Sequence, residues 1–333
     1  MADNGMNEFP TVSIIIPVRN EAVILKRCLA SLRQLDYPQE KLEIIVADGL
    51  SSDNIGQVIR EFGVRQVMND KQIVVSGRNR GFACTQGEVV AFTDADCVCS
   101  RDWIRNSIKY FSDDKVAGVT GATLTPEDSS CLERAVGFLF WVAGLFGSTA
   151  QRCSASKTAE VEDMPGCNAI YRREALSRVM PVDEDLLTAE DVWMNRCLRK
   201  LGYKLILADD VRIWHYRRSS LKRLLRQVHR FAIGRLQVAR KDPGLLSCLH
   251  VAVGLSLPAV MAMVVTACLL GYGLPLVELS LIFLFALALL SLAKTRSLKT
   301  TLDVLLVVLV FVSAWSFGFL QEWLFPLKDG KGA

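Results

Sequence analysis

Short apolar runs alternate with periodically apolar, otherwise polar stretches along the first two thirds of the chain. Val12–Pro17 (VSIIIP), Leu42–Ala47 (LEIIVA), Arg65–Met68 and Val89–Thr93 (VVAFT) read as strands, and Ile73–Val75 as a shorter β-like piece. Between them Ile24, Leu25, Cys28, Leu29 and Leu32 recur at helical spacing. So do Ile55, Val58, Ile59 and Phe62, behind a Ser51-Ser52-Asp53 cap. A helix is predicted from Asn79 to Gln86, ending near Gly87, and another over Trp103–Phe111, followed by a strand over Val116–Thr125. Gly166 opens a turn into a strand through Tyr171, and Thr188-Ala189-Glu190-Asp191 leads a helix over Val192–Leu201. Strand–helix alternation of this kind predicts an α/β fold built on a doubly wound, mostly parallel sheet.

From about Leu245 the pattern changes to nearly continuous hydrocarbon. Cys248–Leu270, Leu274–Ala293 and Leu302–Leu320 approach or reach bilayer-spanning length, separated by the short GYGLP and KTRSLK segments. The expected organisation is therefore an α/β domain over 1–215, basic interfacial helices over 216–244, and an α-helical membrane domain of about three helices over 245–325. Ala135–Ala150 is apolar but short for a span; it reads equally as a buried core helix or an interfacial one.

Charge adds an orientation. Arg235, Arg240 and Lys241 precede the first apolar stretch, and Lys294, Arg296 and Lys299 lie between the second and third, which puts both groups on the cytoplasmic side. The α/β domain is then cytoplasmic and the C-terminal tail lies across the membrane. Lys328 and Lys331 argue for an alternative in which the third segment re-enters or lies at the interface. The N-terminus, MADNGMNEFP, has no signal-peptide pattern. The net charge of +4 conceals a run from Arg212 to Lys241 with no acidic residue. Directly before a span, such a run reads as contact with anionic lipid headgroups rather than with nucleic acid. The 10 cysteines contain no Cys-x-x-Cys pair and no zinc spacing, which suits reduced thiols.

The chemistry collects at strand ends. Val89–Thr93 runs into Asp94 and Asp96, two carboxylates one residue apart, where open α/β sheets place their ligands. Such a pair calls for a cation, and carboxylate oxygens suit Mg²⁺ or Mn²⁺, which commonly bring phosphate oxygens with them. Two further strand ends, Pro17–Glu21 and Asp48–Asp53, present polar groups on the same edge. The Gly49-Leu50-Ser51-Ser52-Asp53 turn lacks both the G-x-G-x-x-G spacing and the G-K-[ST] ending, so neither a dinucleotide site nor a P-loop is supported.

Taken in order, SIIIPVRNE, VADGLSSDN, GRNRG, AFTDADC, GCNAIYRREAL and AEDVWMNRCLRKLGYK resemble the inverting glycosyltransferases of family 2, which have the GT-A fold. The resemblance covers about residues 11–240 and implies a nucleotide-sugar site. By that resemblance Pro17, Glu21, Asp48 and Asp53 would hold the base and ribose of a UDP- or GDP-sugar, with Arg78 and Asn79 also on the nucleotide. Asp94 would face the ribose, and Asp96 would bind the Mg²⁺ or Mn²⁺ ion joining the two phosphates. Gly166, Cys167 and Asn168 would lie beside the sugar and acceptor. Asp191 would be the general base, with Glu190 beside it, although this chain has Ala-Glu-Asp where the family usually has Thr-Glu-Asp. His215 would be a further metal ligand.

Some of these have a plainer alternative. Glu190 and Asp191 also suit simple first-turn capping, and His215, between Trp214 and Tyr216, suits ordinary packing. Gln227 and Arg230 resemble the Q-x-x-R-W motif of membrane-bound members, with Phe231 in place of Trp; at i, i+3 they share a helix face. The same segment is an amphipathic interfacial helix with Leu221, Leu224, Leu225 and Val228 as its apolar stripe. With the resemblance, the apolar stretches and the basic interfacial helix suggest transfer to a polyprenyl-linked acceptor at the plasma membrane: a saccharide on polyprenyl diphosphate, or bare polyprenyl phosphate. A non-catalytic membrane scaffold retaining the fold is the alternative of another class.

Overall fold

The computed structural model describes residues 9–145, 157–270 and 273–327. They divide into two compact units. The N-terminal residues 1–8, the last five residues of the Ala135–Ala150 segment, the start of GYGLP, and the tail lysines Lys328 and Lys331 lie outside the described residues.

The first unit comprises the described parts of 1–126, 143–184 and 190–216. Its strands are β1 (Val12–Val18), β2 (Leu42–Asp48), β3 (Arg65–Met68), β4 (Val89–Thr93), β5 (Cys97–Cys99), β6 (Val116–Leu124), β7 (Ala159–Val161), β8 (Asn168–Arg172) and β9 (Lys204–His215). Among the described residues they form one nine-stranded sheet in the order β3-β2-β1-β4-β8-β6-β9-β5, with β7 also on β9. The β3-β2-β1-β4 half is parallel, as the alternation predicted; β8 is antiparallel to both its neighbours, and β5 is antiparallel to β9. Every residue of β1 and β4 is buried, as expected of strands covered on both faces. Ile14, Ile15 and Ile16 are fully enclosed, each contributing roughly 2 kcal/mol of burial, which fixes where β1 ends and the polar loop begins.

Helices α1 (Ala22–Leu32) and α2 (Ile55–Phe62) bury the predicted stripes of Leu25, Cys28, Leu29 and Leu32, and of Ile55, Val58 and Ile59. Helix α3 (Val74–Ala83) departs from the pattern: it starts five residues before Asn79, and the expected β-like Ile73–Val75 is its first turn. The reason is close packing on the sheet. A Cβ at Gly77 would sit 3.1 Å from Pro17, and one at Gly81 would sit 2.4 Å from Ile15, so two glycines one turn apart let the helix lie against β1. Helices α4 (Trp103–Ile108) and, further on, α6 (Arg173–Ser177) and α7 (Glu190–Lys200) complete this unit.

The second unit comprises the described parts of 127–142, 185–189 and 217–333. It therefore takes most of α5 (Cys131–Leu145), which lies within the span expected for the catalytic domain. Helix α8 (Leu221–Lys241) buries Leu224, Val228, Ala232 and Leu236 in one cluster with Ala135, Val136 and Phe138 of α5, while Lys222, Arg223, Arg226 and Arg230 stay exposed. The expected amphipathic helix is thus present, though Leu225 lies off the buried stripe.

The expected first apolar span is broken into α9 (Cys248–Gly254) and α10 (Ser256–Leu270), bent by 53°. Pro258 has no N–H to offer the Gly254 carbonyl, which instead accepts a hydrogen bond from Ser316 Oγ at 2.7 Å. Helix α11 (Gly273–Thr295) follows, and then α12 (Leu298–Leu324). Among the described residues α12 is the one helix long and apolar enough to cross a bilayer, and the bent α9–α10 pair makes a second if counted as one span. Val304, Val307, Trp315 and Phe319 of α12 join the α8 cluster, His229 Nε2 pairs with Gln321 Oε1 at 2.8 Å, and Arg240 forms an ion pair with Glu322. The end of α12 therefore lies beside the end of basic α8.

Candidate active site

The loops after β1 and β2 are tied to each other before any ligand arrives. Asn20, at φ 54°, accepts a hydrogen bond from the Ser52 N–H at 2.7 Å and donates its own N–H to Ser51 Oγ at 2.9 Å. Asp48 is buried at the end of β2, its Oδ1 accepting from the Ser51 N–H and its Oδ2 from Gln66 Nε2, both at 2.9 Å. Asp53 reaches across to accept from the Ala22 N–H at 2.9 Å, satisfying a first-turn donor of α1. Pro17 is buried within β1, and Glu21, partly exposed, supplies the carbonyl that starts α1. Pro17, Glu21, Asp48 and Asp53 therefore do converge on one edge. Asn20 was not among the expected site residues; a short polar residue before a helix is the signal for its left-handed turn.

Arg78 is the hub of the site. It is 4% exposed, and its guanidinium reaches Asp94 Oδ1 at 3.0 Å and forms an ion pair with Glu190. Burial works against the Arg78 charge, but Glu190, Asp94 and Asp191 outweigh it and hold the guanidinium more firmly protonated than usual. Burial pushes the Glu190 carboxyl up to about 7, partly countered by Arg78. The Gly166 turn packs directly on this arginine, since a Cβ at Gly166 would lie 2.2 Å from its Nη1. Asp191, at the start of α7, accepts from the Gly166 N–H and from the Val192 N–H, both at 2.8 Å.

On the other side of Asp94, Asp96 Oδ1 lies 3.1 Å from His215 Nε2, both side chains being buried. Antiparallel pairing of β5 with β9 sets Cys97 opposite His215, and Cys167 Sγ approaches His215 Nδ1 at 3.9 Å. Cys97, given no role in the sequence reading, belongs to this cluster; its place directly after Asp96 was the available signal.

Three of the expected residues are engaged within the fold itself. Asn79 is buried, and both ends of its amide are engaged by residues 182–184: Nδ2 donates to the Val182 carbonyl at 2.7 Å and Oδ1 accepts from the Val182 N–H at 2.9 Å. It braces α3 against that turn. Asn168 is fully enclosed, accepting from Trp103 Nε1 at 2.8 Å and donating to the Gly121 carbonyl at 3.1 Å. It anchors the Gly166 turn from below. Glu190, likewise, is the buried partner of Arg78, and Asp191 is the more accessible acid of the two. Gln227 and Arg230 lie on α8 in the second unit, Arg230 exposed and Gln227 partly so.

Residues 13–180, half of the chain, match the family model described as glycosyl transferase family 2. The chain belongs to that family. This glycosyltransferase is 28% identical over 242 residues to the glycosyltransferase AglE of Haloferax volcanii, covering 70% of this chain and 75% of that one. It is 27% identical over 253 residues, covering 69% and 74% of the two chains, to a Methanococcus voltae dolichyl N-acetyl-α-D-glucosaminyl phosphate 3-β-D-2,3-diacetamido-2,3-dideoxy-β-D-glucuronosyltransferase. In structure it is similar to the mannosyltransferase PcManGT of Pyrobaculum calidifontis, solved with GDP-Man and Mn²⁺. The TM-score is 0.64 at 22% identity, covering 91% of this chain and 87% of that one. GalNAc-T7, solved with UDP, GalNAc and Mn²⁺, aligns with a TM-score of 0.51 over 68% of this chain and 48% of its own. The glycosyltransferase thus has the GT-A fold, with the polar edge described above at the carboxyl ends of its parallel strands.

Proposed function

We propose that this glycosyltransferase is membrane-anchored and inverting, and that it moves one sugar from a UDP- or GDP-sugar to a saccharide carried on polyprenyl diphosphate at the cytoplasmic face. The observation that carries the reading is the ion-paired chain Glu190–Arg78–Asp94, with Asp191 next to Glu190 and held by the Gly166 N–H. It supports a division of labour, with one carboxylate on the acceptor side and a separate acidic pair for the donor. The dolichyl phosphate in the name of the Methanococcus relative, the apolar helices and basic α8 support the lipid-linked acceptor.

In this reading Pro17, Glu21, Asp48 and Asp53 line the base and ribose, and Asp94 faces the ribose. Asp96 and His215 offer a carboxylate oxygen and an imidazole nitrogen 3.1 Å apart, a donor set that fits Mn²⁺ and, with more of its water retained, Mg²⁺. A divalent ion held there would neutralise charge on the departing diphosphate. Asp191 takes the proton from the acceptor hydroxyl as that oxygen attacks the anomeric carbon, and the Gly166 and Val192 N–H groups fix the direction in which its carboxylate points. Arg78 and Glu190 hold the Gly166 turn and α7 in register. The resemblance of Gln227 and Arg230 to the Q-x-x-R motif supports a role for them on the diphosphate and acceptor.

The test uses the purified full chain in detergent with Mn²⁺ or Mg²⁺, a panel of nucleotide sugars and host lipid extract. Nucleotide release and sugar incorporation into lipid are followed. Asp191→Asn is expected to lower turnover by about 100- to 10,000-fold, and Asp96→Asn to abolish metal-dependent transfer. Transfer that survives Asp191→Asn but not Asp96→Asn points to a bare polyprenyl phosphate acceptor, which is already ionised. Turnover with water-soluble sugars alone would overturn the lipid-linked reading.

A further inference from the structure

The β5–β9 pairing and the Gly166 turn assemble a donor set that no spacing in the sequence announces. Cys97, Cys167 and His215 are all buried, and their ligating atoms lie within 4.8 Å of one another. Two of these donors are thiols, which are poor ligands for Mg²⁺ and good ones for Zn²⁺. Donors around a tetrahedral zinc stand about 3.5 to 4 Å apart, given Zn–S and Zn–N bonds of about 2.3 and 2.0 Å. Cys167 Sγ and His215 Nδ1, at 3.9 Å, already meet that spacing. The third donor needs to move by about 1 Å at most to complete the set.

A second observation bears on the same ring. A histidine bound to zinc through one nitrogen characteristically donates its other N–H to a carboxylate, which fixes the tautomer and the ring orientation. His215 turns Nδ1 to Cys167 and Nε2 to Asp96 Oδ1 at 3.1 Å. Asp96 stands where that orienting carboxylate is required.

We propose that Cys97 Sγ, Cys167 Sγ and His215 Nδ1 form a binding site for Zn²⁺ or a similarly thiophilic divalent cation, with Asp96 as the orienting acceptor. On binding, each thiol releases its proton to solvent, two per ion, and the fourth position is left to water. Occupation commits His215 Nε2 to donating toward Asp96. A zinc-loaded chain therefore offers a carboxylate-bound Mg²⁺ or Mn²⁺ one ligand fewer, and thiophilic cations act as inhibitors of the metal-dependent reaction.

The test is a Co²⁺ titration of the reduced full chain in detergent. A thiolate-to-cobalt charge-transfer band in the near ultraviolet is expected, saturating at one ion per chain and displaced by Zn²⁺. Cys97→Ser and Cys167→Ser are each expected to lose it, while Cys248→Ser, which alters an exposed thiol, retains it. X-ray absorption at the zinc edge of the unmutated chain keeps the proposal testable should the serine variants fail to fold. Two sulfur neighbours at about 2.3 Å are expected. A zinc shell of oxygen and nitrogen alone, or a cobalt band that persists in both Cys97→Ser and Cys167→Ser, would overturn the site.

Discussion

Arg78 and Glu190 form an ion pair in which the two side chains are only 4% and 8% exposed, and it joins the helix packed on β1 to the helix that carries Asp191. Burial pushes Glu190 up to about 7. In the unfolded chain a glutamate titrates near about 4.3. Well below that value both states hold the proton and Glu190 adds no pH dependence. As pH rises toward 7 the unfolded chain ionises first, so native stability falls through that window and the loss is complete above it. Glu190→Gln removes this slope. Thermal midpoints of the two proteins between pH 4.5 and 8, about the span of the two titrations, measure it. The wild-type midpoint should fall relative to the variant as pH rises, and a relative rise would refute the burial argument.

Gly166 tests the same hub from the opposite side. A methyl group there would lie 2.2 Å from Arg78 Nη1, inside any permitted contact. Gly166→Ala must displace the guanidinium or the turn, with a stability loss of about 1–3 kcal/mol. Because the Gly166 N–H also orients Asp191, transfer should drop further than the lost stability explains. An active, fully stable Gly166→Ala protein would show that the turn adapts freely.

In the second unit, Glu322 is fully buried and answered by Arg240, whose side chain is 45% exposed. Removing the arginine leaves an enclosed carboxylate without its counter-ion. Solvent reaches Arg240, so the loss is discounted from that of a fully buried pair to about 2 kcal/mol for Arg240→Met. Glu322→Gln, which can still accept from the Leu327 N–H, should lose less. Melting in detergent gives the order of the two, and the reverse order would mean that α8 and α12 do not depend on the pair.

What could be read in advance depended on whether the deciding contacts were local. β1, β2 and β4 were legible because β-branched runs ending in Asn20-Glu21, Asp48 and Asp94 carry their own punctuation. The start of α3 was not, because Gly77 and Gly81 matter only once Pro17 and Ile15 are beneath them. Asp96 announced itself within the sequence, whereas its contact with His215 depends on a three-residue edge strand pairing with the far end of β9. Asn79 and Asn168 carried family motifs, yet their amides are consumed by Val182 and by Trp103, partners invisible to any local pattern. α5 illustrates the same limit: an apolar helix looks alike whichever unit it serves.

The break between α9 and α10 had a local signal, Gly254 four residues before Pro258, and it supplies a closed test. Pro258 cannot donate to the Gly254 carbonyl, and Ser316 Oγ donates in its place at 2.7 Å while itself fully buried. Ser316→Ala alone should leave that carbonyl unsatisfied and lower stability by about 1–3 kcal/mol. Pro258→Ala restores an N–H four residues on, in position to close the helical hydrogen bond if the bend relaxes. In the Pro258→Ala background, Ser316→Ala should then be nearly neutral, and the double-mutant cycle should yield a coupling of about 1 kcal/mol or more. Additive effects would mean that the 53° bend is held by packing, as by Phe319 against Gly254, and not by the missing donor.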